Sequence, residues 1–366
     1  MVKIKFLPLL ATLIGLSATV QAEPLRIVCI GDSITQGRGG SNPTYSWRYP
    51  LWKYTVDANW DVDFVGSLNG GFNGDPNWAD YMGESFDREH ESTWGIKASA
   101  MASQLPIRIA SYTPDVALIL LGTNDSSDAF DSPEQFGERV AGHYQTMINT
   151  LRSKNPNVIV LVGGPFQEWS PFGGERTALQ NLATTISTEA SPVIYVAHEQ
   201  GWVSNPDNAA TDTVDWVHPN QQGDQKLASN WLPVLAQFMP YTYDTFRTVT
   251  WLEDNQEPEY AAMADADNDG YSNGFEFAVG SDATSVNTAN NPTFTVENGE
   301  MVYSFAINPD TNLRYVVRSS TDGSDWSTIQ YDSLSDETED LQKTVRVSVP
   351  TTGTLLLRLE VEEIAG

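Results

Sequence analysis

The sequence predicts an α/β fold, a parallel sheet with helices on both faces, followed by a small all-β unit. Three observations carry this. From residue 25 to residue 238, short apolar runs alternate with longer amphipathic stretches. Apart from residues 60–66, which alternate, the runs are apolar nearly throughout, as strands covered on both faces are. Beyond Pro240 the alternation stops, and short strand-like segments separated by turn residues replace it.

In chain order, residues 25–30 (LRIVCI) form the first expected strand, ending in Gly31-Asp32-Ser33 on a tight turn. Gly31 and Gly37 permit that turn. Residues 49–58 read as a helix and residues 60–66 as a second strand. Residues 67–92 form a long loop rich in Gly, Asn, Asp and aromatics, a length that is usually functional. A helix is expected over 98–111, a buried strand over 115–121 (DVALILL), and a long helix over 133–154 with Pro133 in its first turn. A strand over 157–162, a helix over 175–189, a strand over 192–196 and a last helix over 221–238 complete the domain. Five parallel strands fit a flavodoxin-like three-layer sandwich of order 2-1-3-4-5, which puts a crevice beside the first strand at its carboxyl end. The expected divisions are a leader (1–22), a catalytic domain (23–240), an acidic linker (241–285) and a β-sandwich accessory domain (286–366).

The chain has 366 residues and a formal net charge of −28, from 48 acidic and 20 basic residues. That field repels nucleic acid and anionic membrane surfaces and suits a salty exterior, so neither is an expected partner. Lys3 and Lys5 precede an apolar stretch over 6–20 that is short for a membrane span, and Val20-Gln21-Ala22 has the small-x-small form of a leader-peptidase site. A secreted protein, extracellular or periplasmic, is therefore expected. Cys29 is the only cysteine, so no intramolecular disulfide forms.

A serine nucleophile needs a base, a group that orients the base, and donors for the oxyanion. Four histidines are available as the base. His143 lies within an expected helix and reads as packing or surface. His198 ends the fifth strand and reads as structural. His90 lies in the long loop, within reach of a substrate. His218 lies in Asp215-Trp216-Val217-His218, before the last helix and at the same sheet edge as Ser33, with Asp215 three residues ahead as orienter. Gly122-Thr123-Asn124-Asp125 ends the strand that should neighbour the first, so Asn124 can aim its amide at an oxyanion or simply cap a turn. Gly95, at a helix entry, can offer an unhindered backbone N–H.

GDSITQG at 31–37, the Gly95 stretch, GTND at 122–125 and DWVH at 215–218 occur in the order of the SGNH, or GDSL-type, hydrolase family, which the chain resembles over roughly residues 25–239. The resemblance implies Ser33 as nucleophile, His218 as base, Asp215 as orienter, and an oxyanion hole of the Ser33 and Gly95 N–H groups with the Asn124 side chain. Tyr49-Pro50-Leu51-Trp52-Lys53, Val62 to Ser67, and His90-Glu91 are similar to carbohydrate esterase family 3 acetylxylan esterases. That similarity implies an acetylated polysaccharide as substrate and no cofactor for catalysis. One departure stands out: Trp94 precedes Gly95, where that branch has a tryptophan after the glycine. Trp47, Trp78 and Tyr81, with His90, are expected substrate contacts. The alternatives are a lipid or aryl esterase or thioesterase of the same fold, and a non-catalytic glycan-binding protein.

Asp265, Asp267, Asp269, Tyr271, Asn273 and Glu276 fit positions 1, 3, 5, 7, 9 and 12 of an EF-hand-like loop, with Gly270 at position 6. A structural Ca²⁺ is expected there, and the loop also resembles those of dockerins and thrombospondin type 3 repeats. The β tail is expected either to contact glycan or another surface, or to act as a spacer.

Overall fold

The first run becomes strand β1 (Leu25–Gly31), and four residues after it coil into the short helix α1 (Ser33–Gln36). The structure, a computed structural model, describes residues 3–4, 23–41, 43–127, 132–286, 293–297, 300–308, 313–320, 324–328, 342–348 and 354–363. Residues 3 and 4 aside, the expected leader lies outside the described residues. The chain divides into two compact units, Ala22–Met239, and Pro240–Gly366 with Met1–Gln21.

In the first unit, α2 (Arg48–Asp57), β2 (Val62–Phe64), the two-residue β3 (Glu91–Ser92), α3 (Ala98–Arg108), β4 (Val116–Leu120), α4 (Pro133–Lys154), β5 (Ile159–Gly163), α5 (Phe172–Ile186), β6 (Val193–Val196) and α6 (Gln221–Leu235) follow in turn. The sheet runs β2-β1-β4-β5-β6, all parallel, which is the expected order 2-1-3-4-5. Val28 and Ile30, Ala117 and Ile119, and Val160 and Val162 face α3, α4 and α5 in one cluster. Their neighbours Ile27, Cys29, Leu118 and Leu161 point to the opposite face. Against that side pack α2 and α6, whose Leu51, Tyr54, Leu227 and Trp231 are buried.

β2 is shorter than the expected 60–66. Asp87 Oδ2 accepts the Phe64 N–H at 2.7 Å and covers the outer edge of the strand. Beyond that point β3 replaces β2 along β1, pairing Ile30 with Glu91 and Gly31 with Ser92. The exchange carries residues 92–95 to the carboxyl end of β1. Helix α4 starts on a capping box, Ser132 with Gln135, and α6 on Asn220, whose Oδ1 accepts the Gly223 N–H at 2.9 Å. No helix among the described residues is long and apolar enough to cross a membrane.

In the second unit the stretch expected as a linker contains two helices, α7 (Tyr243–Trp251) and α8 (Asn273–Val279). Phe277 of α8 meets Tyr243 and Phe246 of α7 at 5.8 and 5.2 Å between ring centroids. Strands β7 (Thr293–Glu297), β8 (Glu300–Ala306), β9 (Leu313–Ser320), β10 (Ser327–Thr328), β11 (Gln342–Ser348) and β12 (Thr354–Glu363) follow. They form antiparallel sheets, β11-β8-β7 in one and β12-β9-β10 in the other. Phe305 and Ala306 of one sheet and Tyr315, Val317, Leu359 and Val361 of the other share a core with Phe275, Ala278 and Val279 of α8.

One expected cation ligand is corrected. Asn273 Oδ1 accepts the Ala266 N–H at 3.0 Å, and its Nδ2 donates to Glu259 O and Ala261 O at 2.9 and 3.1 Å. As the buried first residue of α8, it ties the helix start to the backbone at 259, 261 and 266, so its side-chain oxygen is taken up by an N–H of the acidic loop itself.

Candidate active site

Ser33 lies two residues past the end of β1. Asp32 caps α1, its Oδ1 accepting the Ile34 N–H at 3.0 Å, and this holds Ser33 at the sheet edge. The Ser33 hydroxyl lies 2.9 Å from His218 Nε2. His218 arrives from the loop before α6, where Val214 N donates to His218 O at 2.9 Å and Trp216 takes a φ of 71°. On its other side His218 Nδ1 is 2.8 and 3.1 Å from the two Asp215 carboxylate oxygens. Asp215 Oδ1 also accepts the His218 and Val217 backbone N–H groups at 2.8 and 3.2 Å. Burial pushes the Asp215 carboxyl up, but these bonds and the His218 imidazole outweigh it and hold the group below the usual carboxylate range. A carboxylate at Nδ1 places the proton there and leaves Nε2 free to accept the serine proton. The structure thus brings Ser33, His218 and Asp215 into one chain of hydrogen bonds.

Gly95 sits in a turn in which Ile96 N donates to Thr93 O at 3.1 Å, and its φ of 74° disfavours any side chain. Among the described residues, no protein acceptor takes the Ser33 or Gly95 N–H. Asn124 Nδ2 donates to Asp32 Oδ2 and to Ile96 O, each at 3.1 Å. Asp125 Oδ2 accepts the Ala98 N–H at 2.8 Å at the start of α3. The Asn-Asp pair therefore clamps the Gly95 loop to the turn that carries Ser33. Tyr144 holds the other end of that clamp, its hydroxyl bonded to both N and O of Leu121 at 2.8 and 3.0 Å.

The inverted order Trp94-Gly95 has a structural consequence that the sequence reading did not foresee. The Trp94 ring stacks on the His218 imidazole at 4.5 Å and 15°. Phe72 stacks on the outer face of Trp94 at 4.9 Å, and the Arg38 guanidinium lies 5.7 Å from the Trp94 ring. Gln36 Oε1 accepts the Trp94 N–H at 2.7 Å and fixes the ring's approach. An aromatic strip thus runs outward from the imidazole to the exposed Phe72. The misplaced tryptophan was the available signal.

Two expected substrate contacts, Trp47 and His90, are corrected, while Trp78 and Tyr81 are half-buried and tied to neighbouring segments. Trp47 is fully buried, donates to Thr35 Oγ1 at 3.3 Å and packs on Trp231. His90 is also fully buried. Its Nε2 is 3.2 Å from Gly70 O, and its Nδ1 meets Ser92 N and Oγ at 3.0 and 2.6 Å. Burial lowers its pKa to about 2, so it stays neutral and holds the loop leading to Trp94. Trp78 donates to Tyr45 O at 2.9 Å and meets Phe86 edge-on. Tyr81 donates to Asp57 Oδ1 at 2.7 Å beneath the Lys53 ammonium. A long loop needs apolar filling of its own, and these rings supply it. His198 is buried beside Trp231, as its structural reading expected.

Behind Ser33 lie buried carboxyls. Burial, the largest influence, and the Asp125 charge push Asp32 up to about 7 despite the Ile34 N–H. Burial, then the Asp125 and Asp32 charges, push Glu175 well above the usual range. Among the described residues neither Glu175 oxygen has a hydrogen-bond partner. The carboxyl sits against Gly122, where a Cβ would come within 1.9 Å of Oε1 and where φ is +119°. A carboxyl whose pKa is raised on folding contributes stability below its unfolded pKa and loses it as pH rises toward the folded value. Each pH unit in that window removes about 1.4 kcal/mol. Glu175→Gln abolishes this loss, so its melting temperature should exceed the parent's by a margin that widens as pH rises above the ordinary glutamate range. A margin constant with pH would contradict the buried-acid reading.

Residues 29–226 match the model of the GDSL-like Lipase/Acylhydrolase family. A "Multidomain esterase" of Ruminococcus flavefaciens is 26% identical over 60% of this chain, and the match spans only 29% of that protein's length. Among solved structures, a carbohydrate esterase family 3 protein from Talaromyces cellulolyticus is 28% identical, covering 58% of this chain and 97% of its own, with a TM-score of 0.48. A Clostridium thermocellum family 3 carbohydrate esterase is 22% identical over 57% of this chain and 94% of its own, with a TM-score of 0.46.

Proposed function

The chain belongs to the GDSL-like lipase/acylhydrolase family, and from that premise we propose that it is a secreted serine esterase removing O-acetyl groups from a polysaccharide through an acyl-enzyme. The observation that carries the esterase reading is the 2.9 Å approach of Ser33 Oγ to His218 Nε2, backed by Asp215. His218 takes the hydroxyl proton as Ser33 Oγ attacks the ester carbonyl. The Ser33 and Gly95 N–H groups stabilise the tetrahedral oxyanion, and Asn124 joins them as one of its present bonds exchanges for the substrate. The imidazolium then protonates the departing sugar hydroxyl. A water, deprotonated by His218 in turn, releases acetate and restores Ser33.

The choice of an acetylated glycan rests on the family 3-like runs over residues 49–53 and 62–67, on His90-Glu91, and on the aromatic strip formed by Trp94 and Phe72. Flat rings beside a polar site suit the apolar faces of sugars. Export rests on the leader-like residues 1–22.

The test compares initial rates on aryl acetate, butyrate and octanoate, and acetate release from a panel of acetylated glycans. Acetyl should be preferred over octanoyl by more than about tenfold, since each poorly housed methylene costs several-fold. A preference for octanoyl would favour a lipolytic enzyme, and hydrolysis of none would sink the esterase reading.

A further inference from the structure

The second unit holds a group of side chains that ester hydrolysis leaves unused. Asp265, Asp267 and Asp269 each place a carboxylate oxygen within 4.8 Å of the others. Backbone donors curl the loop around them: Asp269 N donates to Asp265 Oδ1 and Asp267 Oδ1 at 3.2 and 3.1 Å, and Gly270 N to Asp265 Oδ2 at 2.9 Å. Tyr271 N donates to Asp269 Oδ1 at 2.9 Å.

An acidic cluster alone is not a site, but Glu276 adds an independent observation. It lies in the first turn of α8, is 2% exposed, and neither of its carboxylate oxygens has a hydrogen-bond partner among the described residues. Besides burial, the groups that act on it are Asp267, Asp269, Asp265 and Asp282, all of like charge. Asp267 Oδ2 is buried and unpartnered as well. A buried carboxylate with no donor, beside three others, is a costly arrangement unless a cation joins them. The Tyr271 carbonyl, which accepts no hydrogen bond among the described residues, is a further oxygen on the same loop. An all-oxygen, multiply anionic set on a flexible loop suits Ca²⁺ better than Mg²⁺ or a transition metal.

We infer that this loop binds one Ca²⁺ through Asp265, Asp267, Asp269, the Tyr271 carbonyl and Glu276, and that the ion fixes α8 in place. The consequence is structural. Phe275, Ala278 and Val279 of α8 enter the core shared by the two sheets, while Phe277 joins Tyr243 and Phe246. Pulling Glu276 onto a cation therefore anchors both sets of contacts.

The test uses the full-length chain, stripped with a chelator and titrated with CaCl₂ by calorimetry and by thermal melting, with MgCl₂ in parallel. One Ca²⁺ per chain should bind and raise the melting temperature, and Mg²⁺ at equal concentration should raise it less. Glu276→Gln should weaken Ca²⁺ binding by at least about tenfold, through loss of a charged ligand. Without calcium, the same variant should melt no lower than the stripped parent, because it removes a buried, unpartnered charge. That second readout separates lost binding from lost folding. Absence of both heat and a melting shift in the parent at millimolar CaCl₂ would overturn the inference. So would wild-type calcium affinity in Glu276→Gln.

Discussion

Ser33→Ala and His218→Ala should each lower turnover of a simple aryl acetate by about 10⁴- to 10⁶-fold, with the melting temperature nearly unchanged. The expectation follows from how the two groups are held. The Ser33 hydroxyl is tied to His218 Nε2, and the imidazole hangs between that hydroxyl and Asp215. Removing either partner deletes the proton transfer but leaves the strands, α1 and the Asp32 cap intact. The double variant should be little worse than either single one, because the pair acts as a unit. Retained activity in either single variant would refute the assignment, and equal loss of activity and melting temperature would make the residues structural. Asp215→Asn offers a graded check. The backbone bonds to its Oδ1 can persist, while the proton on Nδ1 loses its carboxylate acceptor, so the rate falls with little change in KM.

Asn124→Ala should cost about 100- to 1,000-fold in kcat, the range for one oxyanion donor. Its amide already bridges Asp32 Oδ2 and Ile96 O, so the substitution also loosens the clamp between the nucleophile turn and the Gly95 loop. Steady-state kinetics separate the two effects. Loss of a donor used only in the transition state lowers kcat and kcat/KM together, whereas a displaced loop also raises KM. Gly95→Ala provides the companion test. No heavy atom lies within 4 Å of the added Cβ, so any loss arises from the φ of 74°, which an alanine adopts at a cost of about 1 kcal/mol or more. If Asn124→Ala keeps full kcat, the side chain is a clamp alone.

Much of this was legible in the chain. Helix α4 spans the expected residues 133–154 and begins at Pro133, because such start signals are local. The strand order followed from apolar runs alternating with helices, since parallel strands need covered crossovers. Ser33, Asp215 and His218 were nameable because their motifs resemble those of SGNH hydrolases, and each lies in a loop expected at the carboxyl edge of the sheet. The aromatics misled. Trp78, Tyr81 and His90 belong to a long loop, and Trp47 to the start of α2, stretches whose composition resembles a binding surface, and composition does not tell which face of a ring meets solvent. Conversely, Trp94 looked like an irregularity and proved to be the wall of the imidazole.

The sequence by itself determined the fold class and the order of the strands, because periodicity and turn chemistry act over a few residues, and its resemblance to the SGNH family singled out Ser33, His218 and Asp215. Only the tertiary structure decided the rest: that Asp125 caps a helix from another loop, that Glu175 is buried near Asp32 with no hydrogen-bond partner among the described residues, that Asn273 Oδ1 is taken up by the Ala266 N–H while neither Glu276 oxygen has a partner among the described residues, and which rings stack at the site. Those outcomes depend on packing between segments far apart in the chain, where burial and direction are set by neighbours that no local pattern encodes.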